Sequence, residues 1–332
     1  MNGTDIKRAT GLIIVEVRNS NPNGDPERDG APRRRRGDIG EISPVSVKRK
    51  MRDLVANKKG PIWLYLKEKF KLDDDTCFDI LEERGRKRSV IKDMIIKDKD
   101  KEIDDKTFVK QYWDGRVFGN TFLEKAEDKS ENEAPETTPE NTTEGGIISK
   151  AEEALALKDS VKTGVVHFGL GLSVAPVTVR TDFTLTNKSA VQEDKTSGMA
   201  PGAFKFIEHG IYAIPFFVNP TQASKTGCTK KDVEVALELI PYVYSHNRSL
   251  VRTQVEVLHA WYVEHNNQKG SYNDFDLIDA LMPKKLEAEN KPSVTREEYD
   301  IPNPNDDKYK ITFEKFNGKV VGFRDLMDLM RQ

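Results

Sequence analysis

The apolar run at residues 11–18, "GLIIVEVR", most constrains what this chain can fold into. It is β-branched and reads as a buried strand. It stops at "NSNPNGDP", where Asn, Pro and Gly crowd into a loop. Ser43 followed by Pro44 then has the form of a helix N-cap with proline at the first helical position. Val47, Met51, Leu54 and Val55 recur at helical spacing and are expected to face a core. Lys48, Arg49 and Arg52 fall on the other side. The first unit is therefore read as strand, long loop, and amphipathic helix with a cationic outer face.

From residue 59 to about 110 the chain is charged and weakly periodic, and is read as a helical insertion. "PIWLYLKEKF" fits a strand or a helix, and "CFDILEERGRKRSVIKDMII" reads as helix with a glycine break. "YWDGRVFGNTF" is a compact aromatic and glycine segment. Residues 124–150 hold Glu, Thr, Pro and Asn with almost no large apolar side chain, so a disordered loop is expected. "TGVVHFGLGLSVAPVTVRTDFTLTN" reads as a pair of strands around Pro176, followed by a polar excursion and the strand-like "HGIYAIPFFVNP". Thr229 caps the next helix with Asp232 three residues on, and Val233, Ala236, Leu237 and Ile240 line its inner face. "LVRTQVEVLHAWYVEH" alternates as a strand. A short helix at "DFDLIDALM", a strand at "KYKITFEK" and an amphipathic turn at "FRDLMDLM" complete the chain. Without the insertion the order is strand, helix, strand, strand, helix, strand. That is an α+β class with the ferredoxin-like βαββαβ order that RNA-recognition folds share.

The net charge of -2 hides an uneven distribution. Residues 1–60 carry about fourteen Lys/Arg against about eight Asp/Glu, roughly +6, and residues 124–153 come to roughly -7. The two cysteines are far apart and the five histidines show no ligand spacing with them, which argues against a disulfide framework or a zinc site. No cofactor is expected. No apolar run suits a signal peptide or a membrane span, so the chain is expected to be cytoplasmic with no membrane partner.

No Walker A loop, GxSxG, HExxH or GxGxxG motif occurs. Asp25, Asp29 and Asp38 share the long loop and two of them could hold a divalent metal, but Asx turns beside glycine and proline are the favoured role. Binding is better supported. The run Arg33, Arg34, Arg35, Arg36 precedes Lys48, Arg49 and Arg52, after a glycine-containing loop whose free amides can also meet phosphate. Guanidinium groups and amides of this kind track phosphates without reading bases. The excursion from Arg180 to Lys205 could project as a hairpin. Met199 and Phe204 within it either wedge against a nucleobase or pin the loop to its own domain. Arg116, in "DGRVFGN", is either a phosphate contact or the partner of Asp114.

Together, "NPNGDP", "ISPVSVKRKMRD", "DGRVFGN" and the later strands with "SGMAPGAFKF" resemble the Cas-seven backbone subunits of type I CRISPR Cascade complexes, in the branch of subtypes I-C and I-B. The resemblance covers residues 11–58 and 112–264, apart from the acidic stretch. It implies a modified RNA-recognition palm over residues 1–58 and 161–265, a thumb hairpin at about 180–206, a fingers-like insertion at 59–123 and an extension at 266–332. It implies a non-catalytic subunit of an antiviral ribonucleoprotein complex. Copies polymerise in a helical filament along one crRNA, beside other Cascade subunits, and present the guide to target DNA. Asn21, Asn23 and Gly24 would be loop contacts to RNA, Lys48, Arg49 and Arg52 the backbone-binding helix, Arg116 a further contact, and Met199 with its neighbours the thumb tip. The "SGMAPG" order departs from the family's usual "TMG". Two other readings compete. One is a guide-dependent ribonuclease of the type III kind using Asp25, Asp29 or Asp38. The other is a protein-interaction module whose basic loop meets acidic surfaces.

Overall fold

The computed structural model describes residues 5–72, 75–120, 162–187 and 199–330, and the acidic stretch read as a disordered loop lies outside them. The chain opens with β1 (Ala9–Ser20), the long loop, β2 (Ile39–Ile42) and α1 (Pro44–Ala56). The Ser43 hydroxyl accepts the Ser46 amide at 3.2 Å and so caps α1 as expected. The insertion contains α2 (Pro61–Phe70), α3 (Arg88–Lys97) and α4 (Trp113–Phe118). The expected long helix from Cys77 onward is confined to α3, because a 3-10 helix and two turns take up the residues before it.

Strands β3 (Val166–Phe168), β4 (Gly171–Pro176), β5 (Val179–Asn187) and β6 (Met199–Val218) follow. The segment read as two strands around Pro176 is thus three. The polar excursion is bounded by a hairpin, β5 pairing antiparallel with β6 from Val179↔Ile207 to Asn187↔Met199. Helix α5 (Lys230–Leu239) starts at a complete Thr229–Asp232 capping box. Strand β7 (Val255–His265), α6 (Asp274–Leu281), α7 (Lys310–Glu314) and β8 (Val320–Asp325) complete the labelled elements.

The main sheet runs β8-β7-β1-β6-β4-β2, with β3 and β5 also pairing to β6. Neighbouring strands are antiparallel. β1 is apolar along most of its length because both of its faces are covered. Ile13, Val15 and Val17 pack with Val47, Met51, Trp63, Trp113 and Val233 from the helices. Leu12 and Ile14 pack on the other side with Trp261, Leu277, Leu281, Phe313 and Phe316. The C-terminal residues therefore roof the second face of the sheet.

Two expectations at the C-terminus are corrected. "KYKITFEK" is helical, with a 3-10 turn at Asp307–Tyr309 leading into α7. Tyr309, Phe313 and Phe316 share one side at helical spacing and pack into the second core, while Ile311 is exposed, so the helical period overrides the apparent alternation. "FRDLMDLM" begins inside β8, whose pairing with β7 runs from Trp261↔Asp325 to His265↔Val320, and only Leu326–Met330 form a turn.

Candidate nucleic-acid interface

The loop after β1 is stapled by its own asparagines. Asn21 is buried. Its amide donates to Gly30 O at 2.7 Å and its backbone N–H to Val251 O at 2.7 Å. Asn23 Oδ1 accepts the Ser43 amide at 2.7 Å, tying the loop to the start of α1. Gly24 and Asp25 pair with Ala31 and Pro32 in a short ladder. A side chain at Gly24 would bring its Cβ within 2.9 Å of Gly30 O, so the ladder needs glycine there.

The loop aspartates serve turns. Asp25 Oδ1 accepts the Glu27 amide at 3.2 Å, and the carboxylate lies 3.9 Å from both Arg28 and Arg33. Asp29 and Asp38 occupy left-handed conformations at φ 53° and 56°. Among the described residues no group of three His, Cys, Asp or Glu side chains could hold a metal ion. In the arginine run, Arg34 pairs with Asp38 at 2.7 Å and Arg35 with Glu41 at 3.0 Å. Arg36 is exposed and forms no ion pair among the described residues.

The cationic face of α1 is not the open row expected. Arg52 is only 4% exposed, and binds Asp114 at 2.8 Å and Glu82 at 3.0 Å. Arg49 binds Asp53 and the Glu82 carbonyl. The insertion packs where the helix pattern alone implies solvent. Arg116 is 5% exposed and does not pair with Asp114. Its guanidinium grips Asp232 at 3.0 and 2.8 Å and donates to the carbonyls of Val109 and Cys77. Arg180 lies near Asp182 and Glu208 at the base of the β5–β6 hairpin, and Lys205 lies 3.6 Å from Asp29 across the loop. Phe204 and Lys205 belong to β6 and are half-buried. Met199 begins β6, but its side chain and residues 188–198 lie outside what is described.

Besides the exposed Arg36, three cations around α1 have no carboxylate within ion-pair distance among the described residues. Lys48 sits 5.5 Å from the Phe118 ring, and burial, then Arg52, push its ammonium pKa down. Lys50 is buried, donates to Ser46 Oγ at 2.7 Å and lies 5.0 Å from the Tyr244 ring. Burial, then Arg252, push the Lys50 pKa down to about 7. Arg252 donates to the Asn21 carbonyl at 3.1 Å, and burial lowers its pKa. Lys50 and Arg252 were missed in the sequence. Lys50 had a signal, since it lies between Val47 and Leu54 on the inner face of α1. Arg252 had none, because only the fold brings residue 252 to residue 21.

A pH dependence follows. The folded pKa of Lys50 lies below its unfolded value of 10.5, so its contribution to stability is complete above 10.5 and lost as pH falls through about 7. The wild type is expected to lose on the order of 2 kcal/mol relative to Lys50→Met between about pH 9 and about pH 6. Urea denaturation at the two pH values checks this, and parallel losses in both proteins would refute it.

Residues 7–303 match the family model described as CRISPR-associated protein Cas7. No curated protein matches the sequence. Matching solved structures include a pre-nicking CRISPR RNA-guided surveillance complex, at 17% identity over 78% of this chain and 78% of that chain with a TM-score of 0.39. A second CRISPR RNA-guided surveillance complex matches at 14% identity over 78% and 69%, with a TM-score of 0.38. A type III-B Cmr-beta complex bound to cognate target RNA matches at 8% identity over 78% and 61%, with a TM-score of 0.37.

Proposed function

The chain belongs to the Cas7 family, and on that premise we propose that it is a non-catalytic, crRNA-binding backbone subunit of a type I Cascade complex. Copies assemble along one guide, beside other Cascade subunits in the cytoplasm, and present it for pairing with target DNA. The observation that carries this reading is the charge left over around α1. Arg49, Arg52 and Arg116 spend their charge on carboxylates, whereas Lys48, Lys50 and Arg252 do not. Cations taken out of water without a partner are costly, and a phosphate backbone supplies the missing charge.

In this reading β1, α1, β4, β6, α5 and β7 form the RNA-recognition palm. The sheet order β7-β1-β6-β4 supports it, being that of two interleaved split βαβ units. The second sheet face, on which such folds stack bases, is roofed by the C-terminal residues, so the guide runs over the loop and α1. The β5–β6 hairpin is the thumb, with Arg180, Phe204 and Lys205 near its base and Met199 the thumb residue that the resemblance assigns. Arg33 and Arg34 flank the path. Asp25 caps a turn and Asp29 and Asp38 hold left-handed turn positions, which favours the non-catalytic form.

Co-expression with a matching CRISPR array, followed by purification across a salt series, tests this. RNA of one defined length is expected to co-purify and to be lost at high salt. Lys48→Glu is expected to weaken retention and to lower the salt slope by about 1. Protein free of RNA at low salt would overturn the reading. Magnesium-dependent cleavage of guide-paired RNA that disappears in Asp25→Ala would overturn its non-catalytic part.

A further inference from the structure

Lys50 is a buried lysine of α1 whose ammonium has only hydroxyl, carbonyl and aromatic neighbours within contact, and the charge of Arg252 acts on it. Lys50 is 5% exposed, and its ammonium donates to Ser46 Oγ at 2.7 Å and Ser46 O at 3.3 Å. The groups that touch it or act on its charge come from four segments. Its own helix supplies Ser46 and Asp53. The turn at residues 84–85 of the insertion supplies Arg84. The turn after α5 supplies the Tyr244 ring, and Asn247 from the same turn donates to the Lys50 carbonyl at 3.4 Å. The loop before β7 supplies Arg252. One carboxylate is among them, and Asp53 is already shared by Arg49 at 2.9 Å and Arg84 at 2.8 Å. Arg252, half-buried, is fixed through Nε to the carbonyl of Asn21 at the start of the long loop.

This arrangement is electrostatically frustrated without an anion. Two cations cannot both be charged at low cost in a half-dry site with one shared carboxylate. Arginine keeps its proton, so lysine is the group that yields. An anion beside Arg252 reverses the sign of the local field and makes the lysine proton favourable again.

We propose that Arg252 contacts a phosphate of the bound RNA and that the more deeply buried Lys50 takes up a proton as the RNA binds, which links RNA affinity to pH. This rests on the guide-binding reading above and adds to it a residue contact and a mode of regulation. Burial, then Arg252, hold the Lys50 pKa near 7 in the free protein, so that the lysine is mostly neutral above that pH.

The test is isothermal titration calorimetry of the full chain with a mixed-sequence single-stranded RNA at about pH 8, in HEPES and in Tris, whose ionisation enthalpies differ. The wild type is expected to take up roughly half a proton or more per site, and to lose several-fold in affinity per pH unit between about pH 7 and about pH 9. Lys50→Met is expected to bind with equal heats in both buffers and with a flat pH profile. Lys50→Gln is the second variant should Lys50→Met fail to fold. Arg252→Ala is expected to weaken binding about tenfold and to abolish the uptake. RNA binding without proton uptake in the wild type, or uptake that persists in the Lys50 variants, would overturn the proposal and leave the guide-binding reading standing. No RNA binding at any pH would defeat both.

Discussion

Asp232→Ala is expected to cost on the order of 3–5 kcal/mol of folding stability. Asp232 and Arg116 are both buried and meet through two hydrogen bonds of 3.0 and 2.8 Å. The same carboxylate accepts the Thr229 amide and hydroxyl, each at 2.8 Å, as half of the α5 capping box. Removing it strands a guanidinium in the interior and opens the first turn of a core helix. Asp232→Asn keeps the size and part of the hydrogen bonding, and should fall between wild type and alanine. Urea denaturation reads the ordering directly. An alanine variant within about 1 kcal/mol of wild type would mean that the pair is solvated in a way its burial does not suggest.

Gly119→Ala is the second large effect, on the order of 3 kcal/mol or more. Gly119 has φ 74° and ψ -177°, a region that side chains avoid. Its Cβ would lie 2.2 Å from Lys162 O and 2.5 Å from Gly164 N, both backbone atoms. Gly164 mirrors the constraint, since a Cβ there would fall 2.2 Å from the Phe118 carbonyl carbon. The two glycines let the end of α4 lie against the approach to β3, where Val165 N donates to Val117 O at 2.8 Å. Neither backbone can retreat without breaking that bond and the Gly119↔Thr163 ladder. A thermal melt within a couple of degrees of wild type would refute the argument.

Local signals were legible wherever local physics decides the outcome. Ser43 and Thr229 cap the helices they precede, and Val47, Met51, Leu54 and Val55 enter the core as their spacing demands. The ion pairs were not legible. Asp114 and Arg116 stand two apart in α4, so their side chains leave about 200° apart around the axis and reach different partners. Those partners, Arg52 and Asp232, are distant in sequence, and no periodicity encodes the match. The outer face of α1 misled for a related reason. A polar stripe on a helix reads as wet, yet here it meets acids brought over by the insertion. In β8, Gly322 and the exposed Val321 blur the alternation, and the strand exists because β7 offers it an edge.

The roof over the second face of the sheet has a mechanical consequence. A sheet held from one side can flex and change its twist, while one clamped between two packed layers deforms only if both cores give way together. A building block laid end to end along a polymer passes every distortion on to the next block, and small errors of pitch accumulate with length. Clamping Leu12 and Ile14 beneath Leu277 and Leu281, with Ile13 and Val15 against the helices opposite, gives the chain a stiff interior, as the filament proposed above would require. The adjustable parts are then left at its margins.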